Sequence, residues 1–128
     1  MSTPGLTLDT GALVALERRD VRTMALVRRT RDRGAVVTVP VSVIVEWWHG
    51  QRGPVAHLVD AFDVEPLEPP LARVAGEALA AVGRGPSPPD AVVMASAASR
   101  GDFVLTSDIE DLDRLRTTVF RGVRLLRV

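Results

Sequence analysis

Short runs crowded with β-branched and aliphatic residues alternate along the chain with longer stretches whose apolar positions recur at helical spacing. "LTLD" (6–9), "AVVTV" (35–39), "VEPL" (64–67), "FVLTSD" (103–108) and the closing "GVRLLRV" (122–128) are of the first kind and predict strands. "TGALVALERR" (10–19), the segment from Asp20 to Gly34, "PVSVIVEWWHGQR" (40–52), "PPLARVAGEALAAVG" (69–83), "SPPDAVVMASAASRG" (87–101) and "IEDLDRLRTTV" (109–119) are of the second kind and predict helices. Punctuation agrees with the periodicity. Asp20 is placed to cap the second helix and Gly34 to end it, while Pro40 opens the third. Strands separated by helices of roughly 10 to 15 residues imply right-handed crossovers and a mainly parallel sheet covered on both faces. The expectation is an α/β fold, a three-layer α/β/α sandwich, in one domain over residues 1–128.

Composition narrows the chemistry. There is no cysteine, which removes a disulfide framework, a thiol nucleophile and a zinc site built on sulfur. Lysine is also missing, so a P-loop or a Schiff-base enzyme would lack a residue its chemistry normally uses, and all sixteen cations are arginines. The formal net charge is zero, which removes the simplest argument for a nucleic-acid binder. Charge is nevertheless uneven: seven arginines fall between Arg18 and Arg33 against Asp20 and Asp32, whereas "TSDIEDLD" gathers four acids without a base. An arginine group of this kind is either a solvated helix face or a patch that tracks a phosphate backbone. No apolar run reaches the ~18 residues a bilayer span needs, and "MSTPGLTLDTG" has neither a basic leader nor an apolar core, so no membrane association and a cytoplasmic location are expected.

Four carboxylates stand out by position. Asp9 ends the first predicted strand and Asp108 follows the fourth, placing both at carboxyl ends of strands, where open parallel sheets bind ligands. Either acid can instead cap the helix that follows, although Ser107 and Glu110 already form a plausible capping box beside Asp108. Asp90 heads an apolar helix, where "SPPD" matches the capping-box pattern and a polar site at the sheet edge is the competing explanation. Glu46 lies among Val43, Ile44, Val45, Trp47 and Trp48 in its predicted helix, away from either end, and must face water, a cation or a proton. Should the four converge, their mutual repulsion calls for a shared cation, and an all-oxygen donor set selects Mg²⁺ or Mn²⁺. His49 and His57 lack a spaced partner and are expected in solvated or packing roles.

Taken together, "LDTGAL", the acid in "VIVEWW", "PPDAVVMASAA" and "VLTSDIEDL" resemble the PIN-domain ribonucleases, in particular the VapC-type toxins of bacterial toxin-antitoxin pairs. The resemblance spans nearly the whole chain, the closing strand included. It implies strand order 3-2-1-4-5, with the first and fourth strands adjacent. It also implies that Asp9, Glu46, Asp90 and Asp108 are the catalytic, metal-holding acids, with Asp111 a further and less constant one and Thr10 and Ser107 their polar neighbours. One ion on Asp9, Asp90 and Asp108, and a second near Glu46, would then hydrolyse RNA phosphodiester bonds. Arg52 and part of the Arg18–Arg33 group are candidates to hold the RNA backbone. Trp47 and Trp48 are expected to stack on bases or to pack, preferably in a homodimer interface. A cognate VapB-type antitoxin would cover the acidic pocket. The alternative is a PIN-fold RNA- or protein-binding module without catalysis, in which capping and ion pairing account for each acid separately. An aspartyl phosphatase is disfavoured, because position 11 is Gly rather than a second Asp.

Overall fold

The computed structural model describes residues 3–128. Five strands, β1 (Leu6–Leu8), β2 (Val37–Pro40), β3 (Asp63–Glu65), β4 (Phe103–Thr106) and β5 (Arg124–Arg127), form one sheet in the order β3-β2-β1-β4-β5, with every neighbouring pair parallel. Six α-helices connect them: α1 (Thr10–Glu17), α2 (Val21–Asp32), α3 (Val41–Trp47), α4 (Pro69–Val82), α5 (Pro88–Arg100) and α6 (Ile109–Thr118), with a 3₁₀ segment over Gly53–Ala61. Fold class and strand order are those expected. Among the described residues no helix is long and apolar enough to cross a membrane.

The central layer is dry. Leu8, Leu13, Val39, Val93, Met94, Leu105, Leu112 and Leu115 are fully buried, and each side chain removed from water stabilises the fold by roughly 1.5–3 kcal/mol. Helix α5 is buried along Ala91–Ala97, a run of small and medium side chains against which α4 and α6 pack. The buried acid Asp102 enters this interior with partners. Asp102 accepts hydrogen bonds from the Gly5 amide (3.1 Å), the Thr7 hydroxyl (2.8 Å) and Arg100 Nε (3.0 Å), and Arg100 also reaches Glu65 at 2.8 Å. The threonine in the middle of β1 is therefore satisfied although wholly enclosed.

Helix α3 is shorter than its pattern predicts. It was expected to continue to Arg52 but stops at Trp47, because the Gln51 side chain seizes its end: Nε2 donates to the Trp47 carbonyl at 3.1 Å, and Oε1 accepts from the His49 amide at 2.9 Å. Gly50 supplies the positive φ that this turn requires. Side-chain capture of a helix end leaves no mark on hydrophobic periodicity.

Candidate metal centre

Strand order decides where the acids go. Because β1 and β4 are neighbours, with Leu8 opposite Leu105, the residues leaving their carboxyl ends emerge side by side at the point where the chain switches direction across the sheet. Asp9 follows β1 directly, and its amide donates to the Leu105 carbonyl at 3.2 Å. Thr106, the last residue of β4, joins the two ends. Its hydroxyl donates to Asp9 Oδ2 and accepts from the Asp108 amide at 2.8 Å. A cleft of about 280 Å³ opens above this junction, lined by Asp9, Glu46, Asp90 and Asp108 together with Thr10 and Ser107.

Each acid arrives on its own element. Asp9 caps α1, accepting from the Ala12 amide at 2.9 Å, and Asp108 caps α6, accepting from the Asp111 amide at 3.4 Å. The capping box expected between Ser107 and Glu110 is not what caps α6; Asp108 does so itself. Asp90 sits in a complete capping box with Ser87, whose amide donates to Oδ2 at 2.9 Å. Capping and convergence coexist: three helix N-termini, with their partial positive charge, point toward one cleft and offset part of the repulsion between its acids. Glu46 differs from its expected setting. It lies in the last turn of α3, exposed, and Oε1 accepts from the Thr10 hydroxyl at 2.7 Å.

The tightest grouping is not the expected one. Asp90, Asp108 and Asp111 each offer a carboxylate oxygen, and the three lie within 4.8 Å of one another. Asp9 and Glu46 line the same cleft without belonging to that trio. Asp111 was named from the sequence only as a less constant acid; it gains its place because α6 turns its first-turn side chain back toward its own cap. Electrostatics follow from this crowding. Burial pushes the Asp9 carboxyl up to about 6, with Asp90 and Asp108 adding to the rise against hydrogen bonds from Thr106 and Ala12. Asp90 is also raised, by desolvation and then by Asp108 and Asp111. Asp111 rises for the same reasons, opposed by nearby Arg114. Hard, oxygen-only donors that repel one another fit a small divalent cation.

Sequence reasoning overlooked three supporting residues. Thr106 is the first. Gly11 is the second: a Cβ there would overlap the Ser107 hydroxyl and stand 2.6 Å from Ser107 Cβ, so α1 can approach the β4–α6 turn only with glycine. Arg114 is the third, and only its spacing of three from Asp111 could have drawn notice.

Other candidates fall elsewhere. Arg52 folds back on its own loop, with Nη1 donating to the Gly50 carbonyl at 2.7 Å. Arg19, Arg28 and Arg31 border a second cavity of about 490 Å³ between α1, α2 and the 3₁₀ segment, and do not line the acidic cleft. Trp47 is buried with Nε1 donating to Glu17 at 2.9 Å, so it is a core residue; Trp48 is 46% exposed. His49 packs on the Trp47 carbonyl, and His57 lies in solvent beside Asp60.

Comparison with known proteins agrees with this fold. The family model for the PIN domain matches residues 6–117. Among solved structures, VapBC2 from Rickettsia felis bound to a DNA fragment from their promoter superposes with a TM-score of 0.74 at 12% identity, covering 96% of this chain and 98% of that one. DNA-bound VapBC from Salmonella typhimurium gives 0.72 at 17% identity, covering 98% of each chain. FitAcB from Neisseria gonorrhoeae gives 0.66 at 17% identity, covering 94% of this chain and 96% of that one. No curated protein sequence matches the chain at a significant level.

Proposed function

The chain belongs to the PIN-domain family, and on that premise we propose that it is a Mg²⁺- or Mn²⁺-dependent endoribonuclease acting in the cytoplasm as the toxin of a toxin-antitoxin pair. The observation that carries this reading is the meeting of Asp90, Asp108 and Asp111 within 4.8 Å, the first two of them lining a cleft together with Asp9 and Glu46. Asp90, Asp108 and Asp111 are the donors for a first ion. Asp9, fixed through both oxygens by Ala12 and Thr106, holds the negative field beneath it. Glu46, oriented by Thr10 at the rim, is the donor for a second ion. A bound divalent ion supplies the positive charge that receives a phosphodiester and makes a water acidic enough to attack it. Helix N-termini at the cleft give the same phosphate backbone amides to lie against.

The structural neighbours are toxin-antitoxin complexes, which supports a VapB-type antitoxin as the restraining partner. A homodimer is proposed through α3 and the residue that follows it, where Val41, Val45 and Trp48 stand exposed. In the second reading the chain is a PIN-fold binding module without catalysis, and what favours it is that Asp9, Asp90 and Asp108 each already cap a helix. The test is cleavage of a labelled single-stranded RNA. The nuclease reading expects Mg²⁺-dependent products that vanish with EDTA and in Asp108→Asn, together with growth arrest on expression. Intact RNA after incubation with protein that binds Mn²⁺ would favour the module.

A further inference from the structure

Helices α5 and α6 bring Asp90 from one side to meet Asp108 and Asp111 from the other, yet their N-termini belong to different loops. The loop before α5 is anchored from α6. Arg114, one turn after Asp111, crosses to it and donates through Nη2 to the Val82 carbonyl at 3.2 Å and through Nη1 to the Arg84 carbonyl. Gly85, next along, has φ +119°; a Cβ at this position would overlap Nη1 of Arg114 and stand 3.3 Å from Asp111 Oδ1. The guanidinium thus lies against the backbone just before Ser87 and its partner Asp90, close enough to Asp111 for its charge to be felt there.

We propose that Arg114 is a positioning residue for the acidic site: its two-carbonyl grip on the α4–α5 loop sets the distance between Asp90 and the Asp108–Asp111 pair. This rests on the reading of that trio as the ion-holding donors. Geometry and charge make opposite predictions, which renders the inference decidable. Arg114 is a cation near Asp111, so by charge alone its removal should tighten a divalent ion. If its role is to hold the donors in register, removal should loosen the ion instead. A planar fork spanning two carbonyls is also something lysine cannot reproduce.

Mn²⁺ titration of the full-length protein by electron paramagnetic resonance, with melting curves alongside, reads the effect without any turnover. Arg114→Lys retains the charge and loses the fork; Arg114→Gln loses both. The expected result is a Kd for Mn²⁺ raised in both variants by on the order of 10-fold or more, the size typical of outer supporting residues at metal sites. Wild-type affinity in Arg114→Lys, or tighter binding in a folded Arg114→Gln, overturns the proposal. Wild-type protein that binds no Mn²⁺ at all overturns the reading of the trio itself, a result distinct from equal binding by wild type and variant.

Discussion

The hydroxyl of Thr106 donates to Asp9 Oδ2 while accepting from the Asp108 amide, so a single side chain at the end of β4 ties the buried acid of one strand to the cap that follows another. The bond favours the ionised form of Asp9, but burial opposes it more strongly, and the carboxyl rests up at about 6. The sheet thus holds an acid that is only partly willing to ionise at the floor of a negative cleft. A cation bound above would complete that ionisation.

A pH-dependent stability difference follows. The Asp9 carboxyl moves from 3.8 unfolded to about 6 folded, so the native state binds this proton more tightly and its contribution is fully present below 3.8. As pH rises through 6 that contribution is lost, amounting to about 3 kcal/mol from the size of the shift. Asn has no proton to lose. Asp9→Asn should therefore be more stable than wild type in urea at neutral pH, the advantage fading as pH falls from about 6 toward 3.8 and gone below it. Parallel stability curves for the two proteins across this range would refute the assignment.

Gly11 offers a test in which the usual sign reverses. Exchanging a helical glycine for alanine ordinarily stabilises by up to about 1 kcal/mol. Here the added methyl meets the Ser107 side chain, and overpacking of this kind costs about 1–3 kcal/mol. Gly11→Ala is expected to melt earlier than wild type, and adding Ser107→Gly should recover part of the loss. The double-mutant cycle measures the coupling directly.

Much of the fold was legible because its signals are local and repeated. β-Branched runs, proline openings and glycine stops marked every strand and the starts of the helices, and parallel crossovers followed from their alternation. Strand order came from a resemblance rather than from spacing, since no local pattern says which strands become neighbours. The four acids were visible by position, Asp9 and Asp108 at the ends of strands, Asp90 at the head of an apolar helix and Glu46 among apolar neighbours. Which of them would come closest was not, because the Asp90, Asp108 and Asp111 trio depends on how α5 and α6 meet. Glu46 was placed within a helix whose end is set by Gln51, five positions on, and that local side-chain capture leaves no trace in hydrophobic periodicity.

Asp102, which sequence reasoning passed over, is the most costly single acid to remove. It lies 5% exposed and accepts from Gly5, Thr7 and Arg100, so truncation leaves three donors, one of them a cation, without this acceptor. Asp102→Ala should lower the unfolding free energy by about 3–5 kcal/mol in chemical denaturation, in the manner of other broken buried pairs. Asp102→Asn, which keeps an acceptor oxygen but not the charge, should lose less. A loss below about 1 kcal/mol in the alanine variant, the size of an exposed pair, would show that water replaces these bonds.

Thr10 and Glu46 separate a contribution to the site from a contribution to the fold. Their bond spans 2.7 Å between the first turn of α1 and the last turn of α3, on an exposed rim where water competes for both groups. Its net worth to folding is accordingly about 0.5–1.5 kcal/mol, and Thr10→Val should melt within a few degrees of wild type. The bond has a different value for chemistry, because it fixes one oxygen of an acid that takes no part in capping a helix. Without the hydroxyl, Glu46 retains its charge but samples several rotamers, and a donor free to wander binds a second ion less well. Under the proposed mechanism Thr10→Val should cut RNA cleavage by roughly 10-fold at low Mg²⁺, recovering partly as Mg²⁺ is raised. Thr10→Ser, which keeps the hydroxyl, should cleave like wild type. Were Thr10→Val to cleave at the wild-type rate at every Mg²⁺ concentration, Glu46 would have no part in holding an ion.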